Sequence, residues 1–207
     1  MTNPVTLTFA EVEFLLRARP EQAATVRERL RINPDAASEI VVAAGLASLL
    51  ARGLCEVSGD DVLPKGLIVA LATGLSTSNA YCEAVAWVGT RMTLVHFLDS
   101  ASIRLAIFPV GSGQYTIELL DAQEPVTGPL TRFLDTMAQG EGDLALAIRS
   151  IAPSGEVSLA VARDAQGNWH LSDSQDSPDR GQPSTRDGVA QRISQLLGPQ
   201  AVGANGR

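Results

Sequence analysis

Apolar and polar residues alternate along most of the chain from residue 80 to residue 120, a pattern typical of β-strands. The large apolar residues occupy odd positions in two successive segments, Ile103–Ile107 and Tyr115–Leu119. Residues that pair directly across two strands share one face of the sheet, so this parity requires a loop with an odd number of residues. A three-residue loop at Gly111–Gly113 meets that requirement and places Leu105 opposite Leu119. The segment is therefore predicted to be an antiparallel meander, with further strands at 82–88 and 92–98.

A second antiparallel sheet is predicted after residue 140. Its first strand carries apolar residues at even positions and its second at odd positions, in Leu144, Leu146, Ile148 and in Val157, Leu159, Val161. The change of parity requires a turn with an even number of residues. The segment Ala152–Gly155 supplies such a turn and places Val161 opposite Leu146. Trp169 and Leu171 return to odd positions and predict one more strand.

The N-terminal third reads as helices around a small hairpin. Thr8 and Glu11 have the spacing of a capping box, which begins a first helix, and a second charged helix follows at 21–30. A third helix begins at Asp35 and is apolar nearly all round from residue 40 to residue 50, which predicts burial on more than one side. Gly53 ends it. A hairpin at 54–63 and a helix from Pro64 complete an order that resembles a winged helix.

Two more helices are predicted in the second half of the chain. The segment Pro129–Met137 has apolar residues at helical spacing, and a capping box at Ser184 and Asp187 begins a last helix that Gly198 ends. We therefore predict an α+β fold, with antiparallel β-meander sheets and flanking helices. It forms one domain over 1–198 with a flexible tail at 199–207. Two similar lobes, 1–140 and 141–198, stay open as an alternative, since both contain strands followed by a helix.

Composition narrows the class of partner. The formal net charge is −7, and phosphate contacts need clustered Lys and Arg, so neither nucleic acid nor an anionic membrane surface is expected as a partner. The N-terminus has no basic segment followed by an apolar run, and the apolar stretch Ile40–Leu50 is too short to span a bilayer. Cys55 and Cys82 lie far apart without CxxC spacing. Cys82, in a predicted strand, is expected to be a buried small hydrophobe, and a disulfide or a reactive thiol stays open as the alternative. The expected location is the cytoplasm.

Candidate chemistry is sparse. His96 and His170 are the two histidines, and neither has a nucleophile or carboxylate beside it in sequence. The cysteines and histidines do not have zinc-ligand spacing, and the Asp-containing turns do not match a calcium loop. Gly111–Gly113 precedes a strand and is not a dinucleotide-binding loop. No catalytic residue, metal or cofactor is therefore predicted, although an enzyme with a diffuse site around either histidine stays open as a third interpretation.

The meander has a second face of mixed character, which carries both aromatic and charged residues. It holds Phe97, Arg104, Phe108 and Glu118, and aromatic residues with Arg are typical of protein interfaces. Helix packing over this face is the structural alternative. We predict these four residues as a partner-binding surface from alternation alone.

Three segments resemble the EspG family, the cytoplasmic chaperones of type VII (ESX) secretion in actinobacteria. They are the opening strand and helix from Thr6 to Leu16, the segment from Leu46 to Leu54 that ends in Arg52-Gly53-Leu54 before a short acidic hairpin, and the last hairpin and helix, from Val157 to Trp169 and from Ile193 to Leu197. Together they cover about half of the chain. The chain is shorter than the family usually runs, mainly between the two sheets.

The resemblance implies a non-enzymatic chaperone or adaptor that binds a helical secretion substrate in the cytoplasm. In the family the substrate is a PE–PPE-like heterodimer, whose apolar tip is covered before delivery, and a homodimer of this chain is compatible with that role. No binding residue is carried over from the family. The alternative is a winged-helix-containing regulator or interaction module of another pathway, which a positive stripe beside the helices from Asp35 to Leu75 would support.

Overall fold

A computed structural model describes residues 3–17, 20–33, 38–100, 102–173 and 181–197. Within these residues the chain forms helices α1 (Phe9–Arg17), α2 (Pro20–Arg29), α3 (Glu39–Ala51), α4 (Leu67–Thr77), α5 (Thr127–Ala138) and α6 (Arg186–Leu197). The strands are β1 (Val5–Thr8), β2 (Cys55–Ser58), β3 (Asp61–Pro64), β4 (Ala80–Val88), β5 (Arg91–Asp99), β6 (Arg104–Gly111), β7 (Gln114–Leu120), β8 (Leu144–Ala152), β9 (Gly155–Arg163), β10 (Trp169–Ser172) and β11 (Gln182–Ser184).

The predicted α+β class is confirmed. Nine strands form one sheet in the order β1-β7-β6-β5-β4-β8-β9-β10-β11, and β2 pairs with β3 in a separate two-stranded sheet. The prediction of a second sheet after residue 140 is wrong, because β8 is hydrogen-bonded to β4 and β8, β9 and β10 continue the same sheet. The chain divides into two compact units, the first from Met1–Tyr81 and His96–Ala122, the second from Cys82–Val95 and Gln123–Arg207. The single-domain prediction and its two-lobed alternative stay predictions.

In the first unit, the register of the central hairpin is the one that the parity of the sequence predicts. β6 and β7 are antiparallel, and Leu105 lies opposite Leu119. The predicted register is confirmed, because alternation of buried side chains fixes the register of two adjacent strands. The predicted three-residue loop is wrong, because Gly111 pairs with Gln114 and leaves only Ser112 and Gly113 in the loop. A register shift between Pro109 and Gly111 accommodates the odd residue.

In the second unit, β8 and β9 form the predicted hairpin, with Leu146 opposite Val161. The strands extend to a pair between Ala152 and Gly155, so the turn is shorter than the predicted segment but still even. β10 continues the antiparallel order, with Leu171 opposite Val161. The hairpin prediction is confirmed.

The start of the chain is an edge strand that leads directly into α1. β1 pairs with β7, and Leu7 lies opposite Tyr115. The backbone amide of Thr8 donates to Glu11 Oε2 at 2.7 Å, and the amide of Glu11 donates to Thr8 Oγ1 at 3.3 Å. The predicted capping box is confirmed, and it fixes the position of the Glu11 side chain.

α3 ends at the predicted glycine. The Gly53 amide donates to the Leu50 carbonyl at 3.0 Å and the Leu54 amide to the Leu49 carbonyl at 2.9 Å, which is a Schellman motif with Gly53 at φ +66°. The predicted start of this helix at Asp35 lies outside the described residues, and the described helix has Ser38 as its N-cap. The predicted helix start at Pro64 is wrong. Pro64 pairs with Cys55 in the β2–β3 hairpin, so α4 begins later.

The last helix begins one residue later than the cap predicted from the sequence. The amide of Gly188 donates to Thr185 Oγ1 at 3.0 Å and that of Val189 to the Thr185 carbonyl at 2.9 Å, so Thr185 is the N-cap. The capping box predicted at Ser184 and Asp187 is therefore wrong. The predicted stop at Gly198 and the tail at 199–207 lie outside the described residues.

Each unit has its own buried apolar residues. In the first unit they include Leu7, Leu16, Leu49, Ile68, Leu75, Leu98, Leu105, Ile107 and Ile117. In the second they include Leu130, Leu134, Leu144, Leu146, Ile148, Val161, Val189 and Ile193. Most of the positions singled out from the sequence are buried, whereas Ile103, Tyr115, Leu119 and Val157 are half-buried.

Candidate functional site

The structure brings the four residues of the predicted partner-binding face together in the first unit. Phe97 lies opposite Ala106, and Ala106 lies opposite Glu118, so these three form one row across β5, β6 and β7. Arg104 and Phe108 lie two residues to either side of Ala106 on β6 and share its face. Alternation therefore grouped the residues correctly.

Two of these four residues are interior. Phe97 is 2% exposed and Arg104 is 7% exposed. The Arg104 guanidinium donates through Nη2 to both carboxylate oxygens of Asp99 at 2.8 Å and through Nη1 to the Asp121 carbonyl at 3.4 Å. Phe108 and Glu118 are half-buried. Partner binding by this face stays a prediction. Of the four residues, only Phe108 and Glu118 have enough accessible surface to contact a partner.

α3 is held on one side by close packing against α1. Val42, Gly45 and Leu49 form its buried side. A Cβ at residue 45 would lie 1.9 Å from the carbonyl oxygen of Ala10, so only glycine allows this approach of the two helices.

A buried carboxylate fixes the C-terminal half of α3 to α1. Glu11 Oε1 accepts hydrogen bonds from Ser48 Oγ at 2.8 Å and from Arg52 Nη1 at 2.7 Å. Burial raises the pKa of the Glu11 carboxyl, but the hydrogen bonds from the Thr8 amide, Ser48 and Arg52 together leave it below its ordinary value. The side chain of Glu11 is fully buried, and its bonds to Ser48 and Arg52 join the C-terminal half of α3 to α1.

The opposite side of α3 is exposed and apolar. Ile40 is 81% exposed, and the residues that follow it at helical spacing on the same side are also exposed. We call this surface the α3 outer face; it comprises Ile40, Ala43, Ala44, Ala47 and Ala51. No charged residue lies between Glu39 and Arg52 in the sequence. The sequence predicted burial of this helix on more than one side, whereas the structure buries one side and leaves the other open.

The cations beside the β2–β3 hairpin are engaged by carboxylates of the same unit. Arg52 contacts Glu11 at 2.7 Å, and Lys65 contacts Glu56. Nucleic-acid binding depends on Lys and Arg that are available to phosphates. The two cations that a winged-helix interpretation would use at this hairpin are therefore already paired.

The two histidines occupy different environments. In the first unit His96 is fully buried, and its Nδ1 lies 2.8 Å from the hydroxyl of Tyr81, which in turn donates to the Arg29 carbonyl at 2.7 Å. In the second unit His170 lines an open cleft together with Asp143 and Asp164. His96 therefore serves the core, and only His170 lies beside carboxylates at the surface.

The carboxylate of Asp164 is occupied by its own loop. Its Oδ1 accepts from the amides of Gln166 at 3.0 Å and Asn168 at 2.8 Å, and its Oδ2 accepts from Asn168 Nδ2 at 2.8 Å. A general acid–base pair needs a carboxylate that can orient the imidazole. Asp164 instead holds the turn before β10.

The remaining candidates for catalysis or metal binding are the cysteine thiols and the acidic residues. Burial and then the charge of Glu83 raise the pKa of Cys82 to about 12, and burial also raises the pKa of Cys55. Among the residues that the structure describes, no three His, Cys, Asp or Glu side chains are grouped as metal ligands would be. Within the same ranges no helix is both long enough and apolar enough to cross a bilayer.

Two exposed features were not predicted from the sequence. The first is the α3 outer face, whose signal was present as a helix with no charged residue from Ile40 to Ala51. The second is Trp87, which is 40% exposed on β4. Both are apolar surfaces that water contacts, as sites for partners often are.

No protein-family model matches the sequence, and no curated protein is similar to it. Among solved structures, the chain is similar to that of the Mycobacterium tuberculosis type VII secretion system chaperone EspG5 in complex with the PE25–PPE41 dimer. The TM-score is 0.46 and the sequence identity is 10%, with 94% of this chain and 95% of that chain covered. The similarity is a distant structural resemblance.

Proposed function

We propose that the chain is a non-enzymatic chaperone or adaptor that binds a helical secretion substrate in the cytoplasm, as the EspG-like segments of its sequence imply. The observation that carries the proposal is the α3 outer face. An apolar strip on a rigid helix binds an amphipathic helix or a helical tip of a partner by removing apolar surface from water.

The position of α3 supports recognition of a preformed partner. Packing against α1 at Gly45 and the Glu11–Arg52 ion pair hold the helix in place, so little conformational entropy is lost when a partner docks. The small side chains of Ala43, Ala44 and Ala47 permit close approach of a second helix. Ile40 provides a larger contact at the end of the strip.

The side chains considered for catalysis are engaged or buried, which also favours a binding function. Asp164 is occupied by its own turn, and Cys82 is buried with a raised pKa. Phe108 and Glu118 are half-exposed on the predicted partner-binding face of the first unit, and we retain them as a second proposed contact region.

The test is co-expression of the chain with a PE–PPE-like heterodimer, followed by measurement of affinity by isothermal titration calorimetry. Ala47→Glu places a charge on the α3 outer face and should weaken binding by about tenfold or more, which corresponds to about 1.4 kcal/mol. Ala24→Glu is the matched control, because Ala24 is an exposed helical alanine on α2 beside the exposed polar residues Thr25 and Glu28. Equal affinities of the two variants would contradict the proposal.

A homodimer is the competing use of the same surface. Light scattering on the purified chain distinguishes it. A dimer that Ala47→Glu converts to a monomer, with unchanged affinity for the heterodimer, would assign the α3 outer face to self-association and would overturn the proposed role.

A further inference from the structure

A shallow, open cleft of about 350 Å³ lies in the second unit, at one end of strands β4, β8, β9 and β10. Among its lining residues are Trp87, Asp143, Ala145, Ala162, Asp164 and His170. We call it the Trp87 cleft. It belongs to a different unit from the α3 outer face, so a ligand of this cleft is independent of the proposed function.

The loop that carries Asp143 is held in place by hydrogen bonds to its backbone carbonyls. The Arg163 guanidinium donates to carbonyls of this loop, among them Gly140 at 2.9 Å and Gly142 at 2.8 Å. The amide of Gly89 donates to the carbonyl of Asp143 at 3.1 Å. This wall of the cleft is therefore formed before any ligand arrives, and the guanidinium of Arg163 is directed at the loop carbonyls.

The opposite wall is equally fixed. Hydrogen bonds from the side chain and amide of Asn168 and from the amide of Gln166 lower the pKa of Asp164. Asp164 is therefore charged at neutral pH, and exposed Asp143 adds a second carboxylate. Two carboxylates and one guanidinium line the cleft, so its fixed charge favours a cation.

An exposed indole and an apolar floor lie between these charges. Trp87 is 40% exposed, and Ala145 and Ala162 line the cleft on the strands beside it. A cation near the face of a Trp ring is attracted to its π electrons, and the aliphatic part of a long basic side chain packs well on apolar surface. Of the basic side chains, a planar guanidinium also stacks on aromatic rings.

We propose that the Trp87 cleft binds an arginine side chain of a partner protein. The guanidinium lies against the indole of Trp87 and near the carboxylate of Asp143, and the aliphatic stem rests on Ala145 and Ala162. A protein is the source, because an open cleft leaves one side of its occupant uncovered, whereas small-molecule sites enclose most of the ligand.

The test is an NMR titration of the full chain with three probes. N-acetyl-L-arginine amide should shift the indole N–H of Trp87 and the amide of Gly89, with Trp169→Phe assigning the two indole signals. N-acetyl-L-citrulline amide has the same shape without the charge and should bind about threefold more weakly or worse. An acetylated Ala-Ala-Arg-Ala-Ala amide should bind more tightly than the single residue.

Variants distinguish binding in the Trp87 cleft from a general effect of the charge of the protein. Trp87→Leu and Asp143→Asn should each weaken arginine binding by about threefold or more. Asp60→Asn removes the same charge from the exposed hairpin turn of the first unit and should leave the affinity unchanged. Equal binding of arginine and citrulline, or an unchanged affinity of Asp143→Asn, would overturn the cation site. A peptide that binds no more tightly than arginine amide would overturn the protein source.

Discussion

Gly45 of α3 lies so close to Ala10 of α1 that a Cβ at residue 45 would be 1.9 Å from the carbonyl oxygen of Ala10. This contact sets the distance between the two helices, and it turns the buried side of α3 towards α1. The α3 outer face is consequently the side that points to solvent. The close packing at Gly45 therefore determines that the α3 outer face is the surface available to a partner.

We expect Gly45→Ala to destabilise the first unit. The added methyl meets a backbone carbonyl and not a flexible side chain, so the helices must separate, at a cost of about 1–3 kcal/mol that exceeds the gain in helix propensity. Urea unfolding followed by circular dichroism measures the change. Gly128→Ala on α5 is the control, because the three atoms nearest its Cβ all belong to the Glu124 side chain, which can move more easily than a backbone carbonyl. Similar stabilities of the two variants would contradict the role given to Gly45.

Glu11 gives a second prediction, on stability and pH. Burial raises the pKa of Glu11, but hydrogen bonds from the Thr8 amide, Ser48 and Arg52 leave it below its ordinary value of 4.5 in the folded state. These interactions of the carboxylate therefore stabilise the fold above pH 4.5, and the stabilisation is lost as the pH falls through the folded-state pKa. Glu11→Gln should reduce the free energy of unfolding at pH 7 by about 2–3 kcal/mol. This loss is smaller than that expected for a fully buried ion pair, because Arg52 is partly exposed. The difference from wild type should shrink as the pH is lowered through the folded-state pKa.

The matched control for Glu11 is the exposed pair between Arg149 and Glu156. Glu156 also has a lowered pKa, caused first by its hydrogen bonds with Arg149, but both side chains are exposed. Glu156→Gln should leave the free energy of unfolding close to that of wild type, because an exposed ion pair contributes little to stability. Urea titrations between neutral and acidic pH measure both variants, and equal losses at pH 7 would argue against a special contribution of Glu11.

Substitutions of the two phenylalanines on the predicted partner-binding face should differ in their effect on stability. Phe97→Ala removes a buried ring and should cost about 3–5 kcal/mol, whereas Phe108→Ala, at a half-buried position, should cost about 1 kcal/mol. Thermal and urea unfolding measure this difference. If Phe108 contacts a partner, Phe108→Asp should weaken binding while the protein stays folded. A Phe97→Ala variant as stable as wild type would contradict its interior position.

The sequence predicted the hairpins well because alternation of side chains determines the register of adjacent strands. Leu105 opposite Leu119 and Leu146 opposite Val161 both follow from parity. Strands that are distant in the chain carry no such signal. The pairing of β1 with β7, which places Leu7 opposite Tyr115, could not be read from either strand alone.

The candidate site was less predictable, for a related reason. Alternation shows which residues share a face but not whether another element covers it, so Phe97 was grouped correctly with Glu118 yet is buried. The apolar composition of α3 predicted burial on several sides, and the structure leaves Ile40 exposed. Caps are ambiguous by one residue where Ser184 precedes Thr185, since both residue types can cap a helix.

The cysteines give the last prediction. Cys55 and Cys82 are both buried, and the pKa of Cys82 is raised to about 12, first by burial and then by the charge of Glu83. A thiol reacts as its thiolate, so Cys82 should not react with Ellman's reagent in the native protein and should react fully in concentrated urea. Cys55→Ser leaves Cys82 as the reporter, and Cys82→Ser is its converse. The reaction rate of each thiol at low urea should follow local opening of the segment that covers it. Rapid reaction of Cys82 in the native Cys55→Ser protein would contradict its burial.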